Sequence, residues 1–187
     1  MEYKIRDEAF ISFRKFSDVK FGKSRFNEKF KKYYNEEFQT GFISKWYPIE
    51  PLMSWLEADA NEMNVSYDDY LAEMNEYISA LSVSRTKKVL HKFFGTKIIL
   101  DKSPDFLMSN MNCGSINRVV NFKNFYRAEH IIPELLMKFQ IPLQKGSING
   151  ILKVCGNSLE HFTVVQKSTF DHNGEKMSKL VFEVLYS

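Results

Sequence analysis

The period of the hydrophobic pattern changes near residue 113 of this 187-residue chain, and that change limits the fold more than any single motif. In the first 113 residues apolar side chains recur three and four positions apart, whereas beyond them they mostly alternate, apart from one short helical stretch. A 3.6-residue period marks a helix with one buried face, and a two-residue period marks a half-buried strand. Helices followed by strands predict an α+β chain rather than alternating units around a parallel sheet. The expectation is a single domain over 1–187: a helical layer of five or six helices over 1–113, then a ββαββ unit with a four-stranded antiparallel sheet over 114–187.

Phe10, Phe13 and Phe16 place a first amphipathic helix over 7–20, and Phe26, Phe30, Tyr33 and Tyr34 a second over 24–34. Gly22 separates them, and Ser24 stands where an N-cap would. Leu52, Trp55, Leu56, Ala60 and Met63 mark a third helix ending near 64. Tyr67, Tyr70, Leu71, Met74, Tyr77, Ile78 and Leu81 mark a fourth, with Ser66 as N-cap and Asp68 and Asp69 in the first turn, where the helix dipole favours acids. Further helices are expected over 84–94, ended by Gly95, and from Ser103 to about 112.

Strands are expected over 117–127 and 135–143, the second because Met137, Phe139 and Ile141 alternate with Lys138 and Gln140. Pro142 should end it or lie on an edge. A short helix over 146–156 precedes strands over 161–169 and 176–186, joined by Asn173-Gly174, a strong hairpin turn signal. Upstream, the stretch from 44 to 57 collects Trp46, Tyr47, Pro48, Pro51 and Trp55 at a turn-to-helix junction. Large aromatics beside a rigid turn are costly to leave in water, so this junction should be packed.

A net charge of +3 is unevenly spread. Residues 1–33 carry 10 Lys/Arg against 5 Asp/Glu, 34–83 carry 1 against 10, and 84–187 carry 15 against 8. Basic residues in the first block alternate with core phenylalanines, as on the wet face of a helix, and no nucleic-acid-binding signature accompanies them. No run approaches the ~18 apolar residues of a membrane span. The first residues lack the apolar run of a secretory leader, and two cysteines cannot build a disulfide framework, so a reducing cytoplasm is expected.

Motifs for chemistry are sparse. Gly22-Lys23-Ser24 suggests a phosphate loop, but Ser17 occupies the place of its first glycine and a helix leads in. His91, His130, His161 and His172 show no metal-ligand spacing, and Cys113 and Cys155 form no Cys-x-x-Cys. Asp68, Asp69, Glu73 and Glu76 lie on the polar side of the fourth helix, as a solvated face or a partner's docking surface. No catalytic constellation and no metal site is expected.

The helix-then-ββαββ order, with Trp46-Tyr47-Pro48-Ile49-Glu50 leading into a helix, resembles the superfamily joining H-NOX haem sensors to vinyl-reductase-type ligand-binding domains. Its haem-free relatives, of the type found in myxobacteria, are the nearest in look. The resemblance implies a cavity between helices and sheet. It also implies tests for haem. Matching Pro104-Asp105-Phe106-Leu107 to the family's proximal helix puts Gly114, beside Cys113, where haem-binding members carry histidine. The Tyr-x-Ser-x-Arg motif that clamps haem propionates, expected at the end of the second strand, reads Phe139-Gln140-Ile141-Pro142-Leu143. Cys113 or His91 would be the substitute ligands, and no cofactor is expected. The implied function is a non-enzymatic, haem-free sensor or signalling adaptor. Candidate pocket residues are Trp46, Tyr47, Trp55, Tyr70, Tyr77, Phe139 and Ile141. The expected partners are a hydrophobic small molecule such as a fatty acid, and a protein partner or second copy, with no nucleic acid and no membrane. Alternatives are an interaction module with its cavity packed shut and a haem-based gas sensor.

Overall fold

The computed structural model describes residues 2–41 and 44–187, apart from the side chains of 84–94, 104–108 and 118–119. Its described elements follow the expected order. A short strand β1 (Lys4–Arg6) leads into α1 (Asp7–Phe21) and α2 (Arg25–Tyr34), and β2 (Trp46–Pro48) into α3 (Ile49–Glu62) and α4 (Tyr67–Ser109). Then come β3 (Ser115–Phe122), β4 (Phe125–Pro133), a 3-10 turn at Glu134–Leu136, α5 (Met137–Cys155), β5 (Leu159–His172) and β6 (Glu175–Tyr186). The sheet is antiparallel throughout, in the order β3-β4-β6-β5.

The local signals act as their chemistry requires. Ser66 caps α4: its hydroxyl accepts from the Asp69 N–H at 3.1 Å and donates to Asp69 Oδ2 at 2.6 Å. Ser24 stands at the start of α2 but makes no capping bond. The three helices expected between 67 and 112 are one helix, α4, broken at Gly95, whose φ of 67° a residue with a side chain adopts only under strain. Asn173 and Gly174, both at positive φ, turn β5 into β6. No described helix is long and apolar enough to cross a membrane.

Two departures bear on the site. Trp46-Tyr47-Pro48 is a strand, paired with β1 in the register Ile5↔Tyr47, and β1 is held on its other side by Asn110 and Asn112. The expected strand over 135–143 is instead the 3-10 turn and the start of α5, while β4 takes the second place in the sheet over the end of the expected first strand and the connection after it. Helix α5 is buried on two sides, against α4 through Gly146 and Gly150 and against the sheet through Ile148, Ile151 and Leu152. A helix covered on both sides loses the one-sided pattern, so apolar and polar residues alternate there by chance. Packing also tolerates Pro142 inside the helix despite its missing N–H.

The seam between α4 and α5 is unusually close. A Cβ on Gly146 would come within 2.1 Å of the Ala72 carbonyl oxygen, and one on Gly150 within 2.3 Å of that of Glu76. Alongside, Ser79 and Ser147 hydroxyls meet at 3.0 Å and Asn75 Nδ2 donates to the Leu143 carbonyl at 2.6 Å. Glycine is required here by the approach of another backbone.

Candidate functional site

Two recesses lie on opposite faces of the same two helices. On α3, Leu52 and Leu56 line one recess while Glu50, Met53, Ser54 and Glu57 line the other. On α5, Phe139 and Leu143 belong to the first, and Met137, Lys138, Ile141 and Pro142 to the second. Residues four apart share a helix face and residues two apart do not, so the helical period alone sorts the side chains.

The first recess is an apolar cavity of about 410 Å³. It is bounded by Ile5 of β1, by Ala9, Phe10 and Phe13 of α1, and by Met74 and Ile78 of α4, with Met111 just beyond that helix. Among the described residues its polar groups are Ser12, Asn75, Ser82, Asn110 and, at the exposed edge, Glu8. Glu8 accepts from the Ser44 hydroxyl at 2.7 Å and from Arg6 at 2.9 Å; the Ser44 bond, chiefly, holds its carboxyl below the ordinary glutamate range. The second recess is a cleft of about 740 Å³, bounded by α3, the start of α4, the start of α5 and Lys167 of β5. Glu50, Glu57 and Asp68 supply anions to it, and Lys138 and Lys167 cations. Burial, then nearby Glu57 and Asp68, push the Tyr67 hydroxyl in its wall well above the tyrosine range.

Three devices fasten the shared helices. Asp59 of α3, fully buried, pairs with Lys29 Nζ at 2.9 Å and accepts from Trp55 Nε1 at 2.8 Å and Tyr70 OH at 3.3 Å. Every element of this network needs the others, because a buried carboxylate without partners is costly. The glycine seam fastens α5 to α4. Gln140 fastens α5 to the sheet through His130 Nδ1 at 3.1 Å. His130 is fully buried, and desolvation pushes its pKa down to about 3, so the imidazole is neutral.

The seven candidate residues occupy different places. Phe139 lines the apolar cavity and Ile141 the cleft. Trp55 packs on Phe13 and Phe26 and stacks on Tyr33; Tyr70 and Tyr77 pack on Phe16. Tyr47 meets Phe10, Phe30 and Tyr34 edge-on at 5.3 Å. Trp46 is 40% exposed, with the Arg6 guanidinium 5.7 Å from its ring. Thus the aromatic residues around the Trp-Tyr-Pro stretch form a packed core beside the cavity. Leu52, Leu56, Met74 and Asn75 were not selected by sequence, although Leu52, Leu56 and Met74 lie on recognised helix faces; only the position of α1 and α5 opens space beside them.

Among the described residues, the cavity lining has no histidine, cysteine or tyrosine to ligate iron and no arginine or lysine to pair with haem propionates, and offers the Met74 and Met111 thioethers as soft donors. The segment that does end the second strand, Pro133 to Met137, holds no tyrosine, serine or arginine, and the Lys138 that follows lines the cleft. Cys113 is half-buried, its thiol pushed up to about 11 by burial and is therefore protonated at neutral pH. The side chains of His91 and of Pro104-Asp105-Phe106-Leu107 lie outside the described residues. Among the described residues no group of three or more His, Cys, Asp or Glu could hold a metal ion.

No protein-family model and no curated protein matches this sequence. Solved structures do match over nearly the whole chain. A Cs H-NOX mutant carrying 4-cyano-L-phenylalanine superposes with a TM-score of 0.72 at 10% identity, covering 98% of this chain and 97% of that one. A T. Tengcongensis H-NOX point mutant gives 0.66 at 9%, covering 97% of each. An S. oneidensis H-NOX mutant in the Fe(II) ligation state gives 0.64 at 19%, covering 95% of each. The helical layer, the close α4–α5 pair and the β3-β4-β6-β5 sheet therefore constitute the H-NOX fold.

Proposed function

We propose that this domain is a haem-free, non-enzymatic sensor that binds a hydrophobic small molecule in the cavity between α1, α3, α4 and α5. The observation that carries it is the cavity's composition: largely apolar walls around about 410 Å³, a size suited to a small ligand, with neither iron ligands of the usual kind nor cations for propionates among the described lining residues. Gly114, matched by resemblance to the family's histidine, supports the haem-free reading. It has a φ of 83°, and a Cβ there would lie 2.6 Å from the Ile131 carbonyl oxygen, so a histidine would not fit without moving β4.

Because α3 and α5 wall both recesses, a ligand that shifts either helix changes the charged cleft, the surface by which a protein partner would read occupancy. Uptake of an environment-sensitive apolar dye by the purified chain, together with an absorbance scan after incubation with haem, tests the proposal. Dye uptake without a protein-shifted Soret band is the expected result. A stoichiometric Soret band would establish the haem-sensor alternative, and failure of the dye to enter would favour the packed interaction module.

A further inference from the structure

We propose that the charged cleft is the docking groove for an amphipathic helix of a protein partner, one whose apolar stripe is edged by basic residues on one flank and acidic residues on the other. This rests on the reading of the cleft as the surface that reports cavity occupancy for the role of the complex, while the docking itself needs no ligand in the cavity. The charges of the cleft are sorted by sign. Glu50 and Glu57 of α3 and Asp68 of α4 form one side, and Lys138 of α5 and Lys167 of β5 the other. All five are exposed, and none forms an ion pair with another described residue. Acids beyond the cleft on the same two helices do find cations: Glu62 meets Arg25, Glu73 meets Lys20 and Glu76 meets Lys153. The unpaired charges are those that line the cleft.

The apolar lining comes from the same two sides. Met53 of α3 and Met137, Ile141 and Pro142 of α5 supply it, and Leu135 in the same cleft is 55% exposed. A groove bounded by two helices seats a third whose apolar face enters it. Glu50 and Glu57 lie seven residues apart, two turns or about 10 Å along α3, so basic residues two turns apart on the partner meet both. Thioether side chains such as Met53 and Met137 adapt to the shape of an incoming helix. An extended strand is the poorer occupant: β5 carries a bulge between Val164 and Gln166, just before Lys167, which breaks the ladder that strand addition would use. A partner of one sign is repelled by one side of the cleft, whereas a helix sorted by sign is attracted by both.

The test is fluorescence anisotropy of three labelled peptides of about 18 residues, long enough to hold a helix, titrated with the full chain at low salt. They share one leucine stripe and differ in their flanks: lysine on one and glutamate on the other, lysine on both, or glutamate on both. The sorted peptide should bind about tenfold more tightly than either of the others, the sum of several exposed pairs. The Glu50→Lys/Glu57→Lys variant should transfer the preference to the all-glutamate peptide, a gain that unfolding cannot produce. Equal binding of the three peptides, or binding of none, overturns the docking proposal, as does an unchanged preference in the variant. Dimerisation of the chain in light scattering that the variant abolishes assigns the cleft to a second copy and overturns it too. Sorted-peptide binding by a chain that takes up no apolar dye supports the groove and removes the sensor role; dye uptake without peptide binding removes the groove and leaves the cavity reading intact.

Discussion

The apolar cavity and the charged cleft are built from opposite faces of α3 and α5, yet among the described residues one offers amides, hydroxyls and one edge carboxylate in a greasy wall and the other offers five charged side chains. One residue, about 100° around the helix, separates Leu52 from Met53 and Leu56 from Glu57. What differs is what stands opposite: α1 and the body of α4 across the cavity, and solvent with the lysines of α5 and β5 across the cleft. Two chemically unlike surfaces can therefore be coupled mechanically without a long pathway, because they share their walls.

That coupling depends on how α3 and α5 are held. The largest effect is expected at Asp59: the Asp59→Ala variant leaves Lys29, Trp55 Nε1 and the Tyr70 hydroxyl without their common acceptor. A loss of ~3 kcal/mol in urea unfolding is expected, the low end for a broken buried pair because Glu62 remains 3.5 Å from Lys29 Nζ. Next is Gly150→Val, which drives a side chain into the Glu76 carbonyl and should cost ~2 kcal/mol while altering both recesses, seen as weaker dye binding in the folded fraction. Substitution on the α4–α5 seam that left dye affinity unchanged would show that α5 does not control the cavity.

His130 gives a smaller, pH-dependent effect. Its folded pKa of about 3 lies below the unfolded value of 6.5, so the unfolded chain binds the proton first. Its contribution is complete above 6.5 and is lost as pH falls toward 3, by up to ~1.4 kcal/mol per pH unit. His130→Gln should flatten that part of the stability curve. The smallest effect is expected in the cleft, where Lys138→Ala with Lys167→Ala should change stability by no more than ~0.5 kcal/mol and leave dye affinity in the cavity unaltered. A large loss of dye binding in that variant would mean that the two recesses are not separate in function.

Legibility tracked how local each cause was. The phenylalanine spacing of α1 and α2, the capped start of α4 and the Asn173-Gly174 turn act within a few residues of chain, and the structure has them in place. The start of α5 was misread because Met137, Phe139 and Ile141 mimic a strand when the helix is covered from two sides. Trp55, Tyr70 and Tyr47 were legible as large buried aromatics, but whether such a residue faces a cavity or a neighbour depends on partners from α1, α2 and α4. Asp59 gave no signal of burial, since its donors Lys29 and Tyr70 lie in other helices.

Sequence by itself determined the order of the main helices and strands and the hairpin, because these follow from periodicity and residue type. Only the tertiary structure decided which apolar residues enclose space and which fill it. Close approach at Gly146 and Gly150 sets α5 against α4, the Asp59 network sets α3, and the room left between them and α1 is a matter of distances between elements that no local pattern encodes.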